Sequence, residues 1–269
     1  MTRVLQDDLA CLDGRVMPAL DATIPAIDDG FIRGDGVFEV IRVYDGHLFA
    51  LAEHLDRIER SAENLRIGYE VPREQLESEA VELVEARGGE RFDGVLRIVL
   101  TIGGRRLLMT EPLPQTPDRA RLSCVTYSPT RILDGVKSLS YAANMLAGRI
   151  ARQRGFDEAL LVTPHGRVLE GPTSSLFWVD GDGELCTPPL EEHILASITR
   201  DRLLRVTGAR QCPVTRDELM SSAREAFLAS TVREVQPVAA IDDREFPEVG
   251  ERTREAAAAL MEDIRSSLR

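Results

Sequence analysis

Lysine is all but missing from this chain of 269 residues: Lys137 stands alone against 32 arginines. A compositional bias that converts interchangeable surface lysines to arginine accounts for the others, but not for the exception. Positive charge as a whole is also short, with 33 Lys+Arg against 45 Asp+Glu and a formal net charge of -12. That deficit withholds the attraction that phosphate backbones and anionic bilayers require, so nucleic acid and membrane surfaces are disfavoured as partners. Cysteine is sparse as well. Cys11, Cys124, Cys186 and Cys212 show no CxxC spacing, which argues against a disulfide framework and against a zinc site. No apolar run approaches the roughly 18 to 20 residues of a membrane span. The opening MTRVLQDDLACLDG has no apolar segment ahead of a cleavage site, and the expectation is a cytoplasmic protein. What is present, 43% hydrophobic residues over this length, suffices for one large core or two ordinary ones.

The pattern along the chain is mixed α and β. Val37 to Tyr44 is rich in β-branched and aromatic residues and closes on Asp45-Gly46, a hairpin signal. Leu51, Leu55, Ile58, Ala62 and Leu65 then recur at helical spacing, the apolar stripe of a helix packed on a sheet. A second helix is expected over 73–86. The next strand runs over 95–102, with Leu96, Ile98, Leu100 and Ile102 on one face and Val95, Arg97, Val99 and Thr101 on the other. Three prolines among polar residues over 107–120 mark an interdomain connection. The expected division is a smaller N-terminal α/β domain, 1–115, and a C-terminal domain, 116–269, carrying Lys137 and Glu170. The second opens with a strand over 121–127 and a helix over 141–154 ending at Gly155. Two hairpins follow, EALLV into RVLE and SLFWV into ELCT, the second turning through DGDG. Thr199 is placed as the cap of a helix reaching Thr207, Thr215 to Glu218 as a capping box, and Ala257, Leu260 and Ile264 as the inward stripe of a terminal helix.

A guanidinium stays protonated, whereas a lysine can be tuned to lose its proton and attack a carbonyl. Lys137 is therefore a candidate Schiff-base residue, and its partner is a substrate carbonyl or pyridoxal phosphate. The cofactor needs an acid at its pyridine nitrogen and a phosphate cup. Glu170, followed by Gly-Pro-Thr-Ser-Ser, suits the first, and Ile198-Thr199 at a helix start suits the second. Taken alone, the ordinary readings prevail: a solvated strand-end carboxylate and a capped helix.

Six segments in order, DDGFIRGDGVFEVIRVYDG, EHLDRIERSAENLRI, VKSLSYAANMLA, GFDEALLVTPHGRVLEGPTSSLFWV, LCTPPLEEHILASITRDRLL and ASTVREVQPV, resemble the blocks of the class IV, fold-type IV pyridoxal-phosphate enzymes over about residues 28–241. The resemblance implies an α+β, two-domain fold with a barrel-like β core in the C-terminal domain. It implies that Lys137 is the Schiff-base and proton-shuttling lysine, Glu170 the pyridinium partner, and Arg57 a phosphate ligand. Ile198 and Thr199 become the backbone phosphate cup and Thr231 its hydroxyl donor. Leu195 packs on the ring face, Thr173 and Ser174 lie in the turn alongside, and Tyr141 approaches the ring hydroxyl.

The family holds branched-chain and D-amino-acid aminotransferases, (R)-amine transaminases and aminodeoxychorismate lyase, and the pocket residues are mixed. Phe31 is matched to a tyrosine of the D-specific enzymes. Arg33, Arg97, Arg105 and Arg106 are each candidates for holding a substrate carboxylate, or else ion-paired surface arginines. Ser175 stands for a frequent asparagine and Ser197 for a usual glycine. Glu39 and the several arginines favour an aminotransferase acting on a D-amino acid or branched-chain amino acid with a 2-keto acid. The alternatives are a lyase releasing pyruvate and 4-aminobenzoate, and an (R)-amine transaminase. The resemblance also implies a homodimer.

Overall fold

The computed structural model describes residues 8–68 and 70–268; residues 1–7 of the opening segment read above lie outside the described residues. The chain divides into two compact units. The first holds the described residues from 8 to 115 together with 136–141. Its elements are β1 (Leu9–Leu12), β2 (Arg15–Pro18), α1 (Asp29–Arg33), β3 (Gly36–Tyr44), β4 (His47–Leu48), α2 (Leu51–Asn64), α3 (Arg73–Arg87), β5 (Gly94–Thr101) and β6 (Arg106–Glu111). They form an antiparallel sheet in the order β2-β1-β6-β5-β3-β4.

Period-two alternation gives that sheet two different faces. Val37, Ile41, Leu96, Ile98 and Leu108 point to one side and pack with Leu55, Ile58 and Ala62 of α2 and Leu76, Ala80 and Leu83 of α3. Phe38, Val40, Val95, Arg97 and Glu111 belong to the other side. Strand β5 ends at Thr101, so Ile102 falls in the following turn and is exposed rather than inward. The 107–120 connection begins later than expected. Residues 107–111 belong to β6, pairing Leu108 with Ile98 and Thr110 with Leu96, and the three prolines all follow Glu111.

Residues 136–141, assigned from sequence to the C-terminal domain, cluster with the first unit. The cause is a short antiparallel pairing on β3: Phe38 N–H donates to the Lys137 carbonyl at 3.0 Å, and Leu139 N–H to that of Gly36 at 2.8 Å. Gly36 permits the approach, because a Cβ there would lie 2.6 Å from Leu139 Cδ1 and 2.5 Å from the Leu100 carbonyl oxygen.

The second unit holds 116–135 and 142–267. Its elements are β7 (Ala120–Thr126), α4 (Ala142–Gln153), β8 (Glu158–Val162), β9 (Ser175–Val179), β10 (Leu185–Thr187), α5 (Ile198–Thr207), β11 (Arg210–Gln211), α6 (Arg216–Ser222), β12 (Glu225–Ser230), β13 (Glu234–Ile241), β14 (Arg244–Glu245) and α7 (Glu251–Ser267). The sheet order is β11-β10-β9-β12-β13-β7-β8, with β14 on β13. Leu160, Leu176, Trp178, Leu228 and Val238 share one core. The RVLE segment does not form a regular strand, because Val168 N–H donates to the Val214 carbonyl while its neighbours Leu169 and Glu170 bond to Leu161. The inward stripe of α7 is Ala256, Leu260 and Ile264, a four-residue repeat that leaves Ala257 at its edge. Thr215 and Glu218 form the expected capping box on α6. The cap of α5 is Ser197, not Thr199: its hydroxyl accepts from Arg200 N–H at 3.3 Å.

Candidate active site

Lys137 is half-buried on the first unit, and its backbone is fixed from both sides. Its N–H donates to Ser61 Oγ of α2 at 3.2 Å, and its carbonyl accepts from Phe38. The side chain lies over aromatic surface, with Nζ 4.3 Å from the Phe38 ring centroid and 5.9 Å from that of Tyr141. Those two rings meet edge to face at 5.3 Å. Tyr141, four residues after the lysine, is thus brought to its side. Phe38 was not among the sequence candidates. The candidate aromatic, Phe31, is 75% exposed on α1, where it is too far into solvent to line a pocket in its own unit.

On the helix-covered face of the same sheet lies a buried charge cluster. Glu39 is fully buried and accepts from Arg57 Nε at 2.6 Å through Oε1 and from Nη2 at 2.8 Å through Oε2, and His54 Nδ1 lies 2.7 Å from that same Oε2. Strand alternation turns Glu39 to the side opposite Phe38, toward α2, which carries both partners one turn apart. Burial pushes the Glu39 carboxyl up, but the Arg57 guanidinium and its hydrogen bonds, joined by His54, reverse this and hold it at about 2. Burial pushes the His54 ring below its ordinary value, against the pull of Glu39. Arg57 is therefore held in one orientation at the middle of α2.

The four candidate carboxylate-binding arginines are all ion-paired. Arg33 pairs with Asp29 in solvent, and Arg105 pairs with Asp13 at 2.6 Å. Arg106 faces the helices, where it forms a two-pronged pair with Glu79 of α3 at 2.6 Å on each prong. Arg97 faces the other way, bonded to Glu111, and its guanidinium carbon lies 5.8 Å from the centroid of Phe38. Of the four, Arg97 is the one the fold brings to the ring that carries Lys137.

In the second unit Glu170 is half-buried, and its Oε1 accepts from Leu195 N–H at 3.0 Å. The turn after it is pinned by Asn144 of α4, whose side-chain amide donates to the Pro172 carbonyl at 3.0 Å. Within that turn Thr173 is exposed, whereas Ser174 is buried with a hydroxyl that has no protein partner. Such a group calls for a ligand or water. Leu195 leads through Ser197 into α5, whose first residues are Ile198 and the buried Thr199. Ser197 takes the Arg200 amide and leaves the preceding amides of the first turn for an anion, so a side chain in place of glycine is absorbed by capping. Thr231 lies in the turn joining β12 to β13.

Each unit, taken by itself, holds residues of kinds that suit pyridoxal phosphate: the first an amine on an aromatic bed, the second a carboxylate held by a backbone amide, a buried hydroxyl without a protein partner in the turn after it, and a helix start with amides to offer. The sequence reading passed over His54, Phe38, Glu111 and Asn144. A charged residue within an apolar strand signals a buried pair, which Glu39 displayed; Phe38 carried no signal, since an aromatic in a strand is ordinary.

Comparison with known proteins places these residues in context. The family model for Amino-transferase class IV matches residues 36–241. A protein named as a branched-chain-amino-acid aminotransferase from Methanocaldococcus jannaschii is 33% identical, with 95% of this chain and 96% of the relative covered. A D-alanine aminotransferase from Bacillus licheniformis is 32% identical, covering 94% and 96%. An aminodeoxychorismate lyase from Bacillus subtilis is 29% identical, covering 93% and 91%. Among solved structures, the branched-chain aminotransferase of Thermoproteus uzoniensis with norvaline superposes with a TM-score of 0.88 at 28% identity, covering 96% of this chain and 95% of that one. The PLP-bound form of a hypothetical aminotransferase from Mycobacterium tuberculosis gives 0.85 at 25% identity, covering 96% and 99%. The mixed α/β fold is that of the fold-type IV enzymes.

Proposed function

The chain belongs to the class IV aminotransferases, and from that premise we propose that it is a pyridoxal-phosphate enzyme in which Lys137 is the reacting amine. The observation that carries the reading is the single lysine of the chain, set on the Phe38 ring with its backbone pinned at both ends. When bound, the cofactor supplies an aldehyde for amine exchange and a pyridine ring that accepts the electrons released at the substrate's α-carbon.

The protein's own residues do the rest. Lys137 Nζ takes and returns the proton at the α-carbon. Its aromatic bed of Phe38 and Tyr141 sets the position of that amine. Glu170, oriented by the Leu195 amide, holds a proton on the pyridine nitrogen. Arg57, oriented by Glu39, and the amides of Ile198 and Thr199 bind the phosphate, with Thr231 donating its hydroxyl. Leu195, Ser174 and Thr173 would hold the ring, and Tyr141 would serve its hydroxyl.

The donor is a D-amino acid or a branched-chain amino acid, and the acceptor a 2-keto acid. The two named relatives above 30% identity, one of each kind, support both donors. The lyase among the relatives keeps 4-amino-4-deoxychorismate as a second substrate to test, and an (R)-amine as a third. The deciding experiment adds D-alanine, without acceptor, to purified, cofactor-loaded protein. The expected result is loss of the visible band of the bound cofactor with one pyruvate released per site. A band that persists with D-alanine and L-leucine alike, together with catalytic release of pyruvate and 4-aminobenzoate from aminodeoxychorismate and the band retained, would transfer the assignment to the lyase.

A cytoplasmic location is part of the proposal and rests on the sequence reading alone; as a separate fact, no helix among the described residues is long and apolar enough to cross a membrane. A homodimer accounts for the exposed apolar surface around α1, where Ile27, Phe31 and Ile32 are 86%, 75% and 54% accessible. Light scattering is expected to give about twice the monomer mass, and Phe31→Asp with Ile32→Asp is expected to give a folded monomer.

A further inference from the structure

The Arg97–Glu111 pair is a charged device beside the candidate catalytic lysine that the proposed reaction does not use. Glu111, at the end of β6, is 8% exposed. It accepts from Arg97 Nε through one oxygen and from Arg97 Nη2 at 3.1 Å through the other. Strand alternation and the β5–β6 register put both side chains on the face of the sheet that carries Phe38. The Phe38 ring carries Lys137 Nζ at 4.3 Å and the Arg97 guanidinium at 5.8 Å, so the reacting amine and the pair share one aromatic ring.

We propose that Glu111 sets the side-chain charge of the substrate, so that the site takes amino and keto acids with an uncharged side chain and discriminates against dicarboxylic ones. The proposal rests on the aminotransferase reading above. A two-pronged guanidinium–carboxylate pair is electrically neutral and has its fork filled. A second carboxylate arriving there gains little from Arg97, meets the repulsion of Glu111, and must give up water in a partly buried place. Discrimination comes from the carboxylate already in residence.

The test uses Glu111→Gln, which keeps the shape and one hydrogen-bond acceptor but removes the charge. In the cofactor-loaded enzyme the ratio of kcat/KM for 2-oxoglutarate to that for pyruvate is expected to rise about tenfold or more, equivalent to about 1.4 kcal/mol. Arg97→Met added to Glu111→Gln is expected to abolish the rise. Binding of two inert acids, glutarate and butyrate, read from the absorbance of the bound cofactor, is expected to show the same reversal without turnover. An unchanged ratio, or an equal gain for mono- and dicarboxylates, would overturn the proposal. If no donor is transaminated at all the proposed function fails instead, and the glutarate-to-butyrate binding ratio still decides the role of Glu111.

Discussion

Replacing Lys137 by alanine is expected to lower turnover at least a thousandfold, about what loss of a positioned proton-transfer group costs, while leaving the protein folded. The fold is expected to survive because the segment is held by backbone groups. The Lys137 N–H reaches Ser61, its carbonyl receives Phe38, and neither bond involves the side chain. A second substitution separates amine chemistry from mere charge. Lys137→Arg keeps a cation over the Phe38 ring, but a guanidinium does not give up its proton at neutral pH. It is expected to be as inactive as Lys137→Ala. The measurement is steady-state transamination with the best donor, alongside thermal unfolding of all three proteins. Full turnover by the alanine variant would remove the proposed function, whichever substrate was used.

The lysine stood out because it is unique, whereas Glu170 stood out only together with the Gly-Pro-Thr-Ser-Ser turn after it, since a lone strand-end carboxylate is most often simply solvated. Helix α2 and strand β5 announced themselves by period, since each packs one face on a core, and strand β3 by its β-branched and aromatic composition. What the sequence hid falls into two kinds. The affiliation of 136–141 depends on pairing with a strand a hundred residues earlier, and no local pattern reports such a contact. The partners of charged residues are hidden for the same reason. Arg97 and Arg106 look alike in sequence, yet odd spacing on successive strands sends one to the face with Phe38 and the other to the helices. The cap of α5 was misplaced by two residues because Ser197 and Thr199 are both good capping residues, and only the backbone angles of Ser197 distinguish them.

The other large effect concerns the support beneath Arg57. Glu39 and Arg57 are 0% and 4% exposed, so removing either partner strands a charge in the core. Glu39→Ala is expected to cost about 3 to 5 kcal/mol of stability at pH 7, measured by urea unfolding, and to weaken phosphate binding by freeing the guanidinium. The same pair predicts the shape of acid denaturation. The folded Glu39 carboxyl titrates at about 2, against an ordinary value of 4.5. Between those values the unfolded chain binds the proton more readily, so stability is present above 4.5 and is lost as pH falls toward 2. His54 acts in the same direction but earlier. Its folded value lies below the ordinary 6.5, so the unfolded chain takes up that proton first and stability begins to fall below 6.5. Wild-type protein is thus expected to lose stability in two overlapping stages on acidification. In Glu39→Gln the lower stage should vanish, because no ionisable carboxyl remains at that position. A Glu39→Gln curve parallel to wild type from pH 5 to pH 3 would show that the carboxylate is not what holds Arg57 in place.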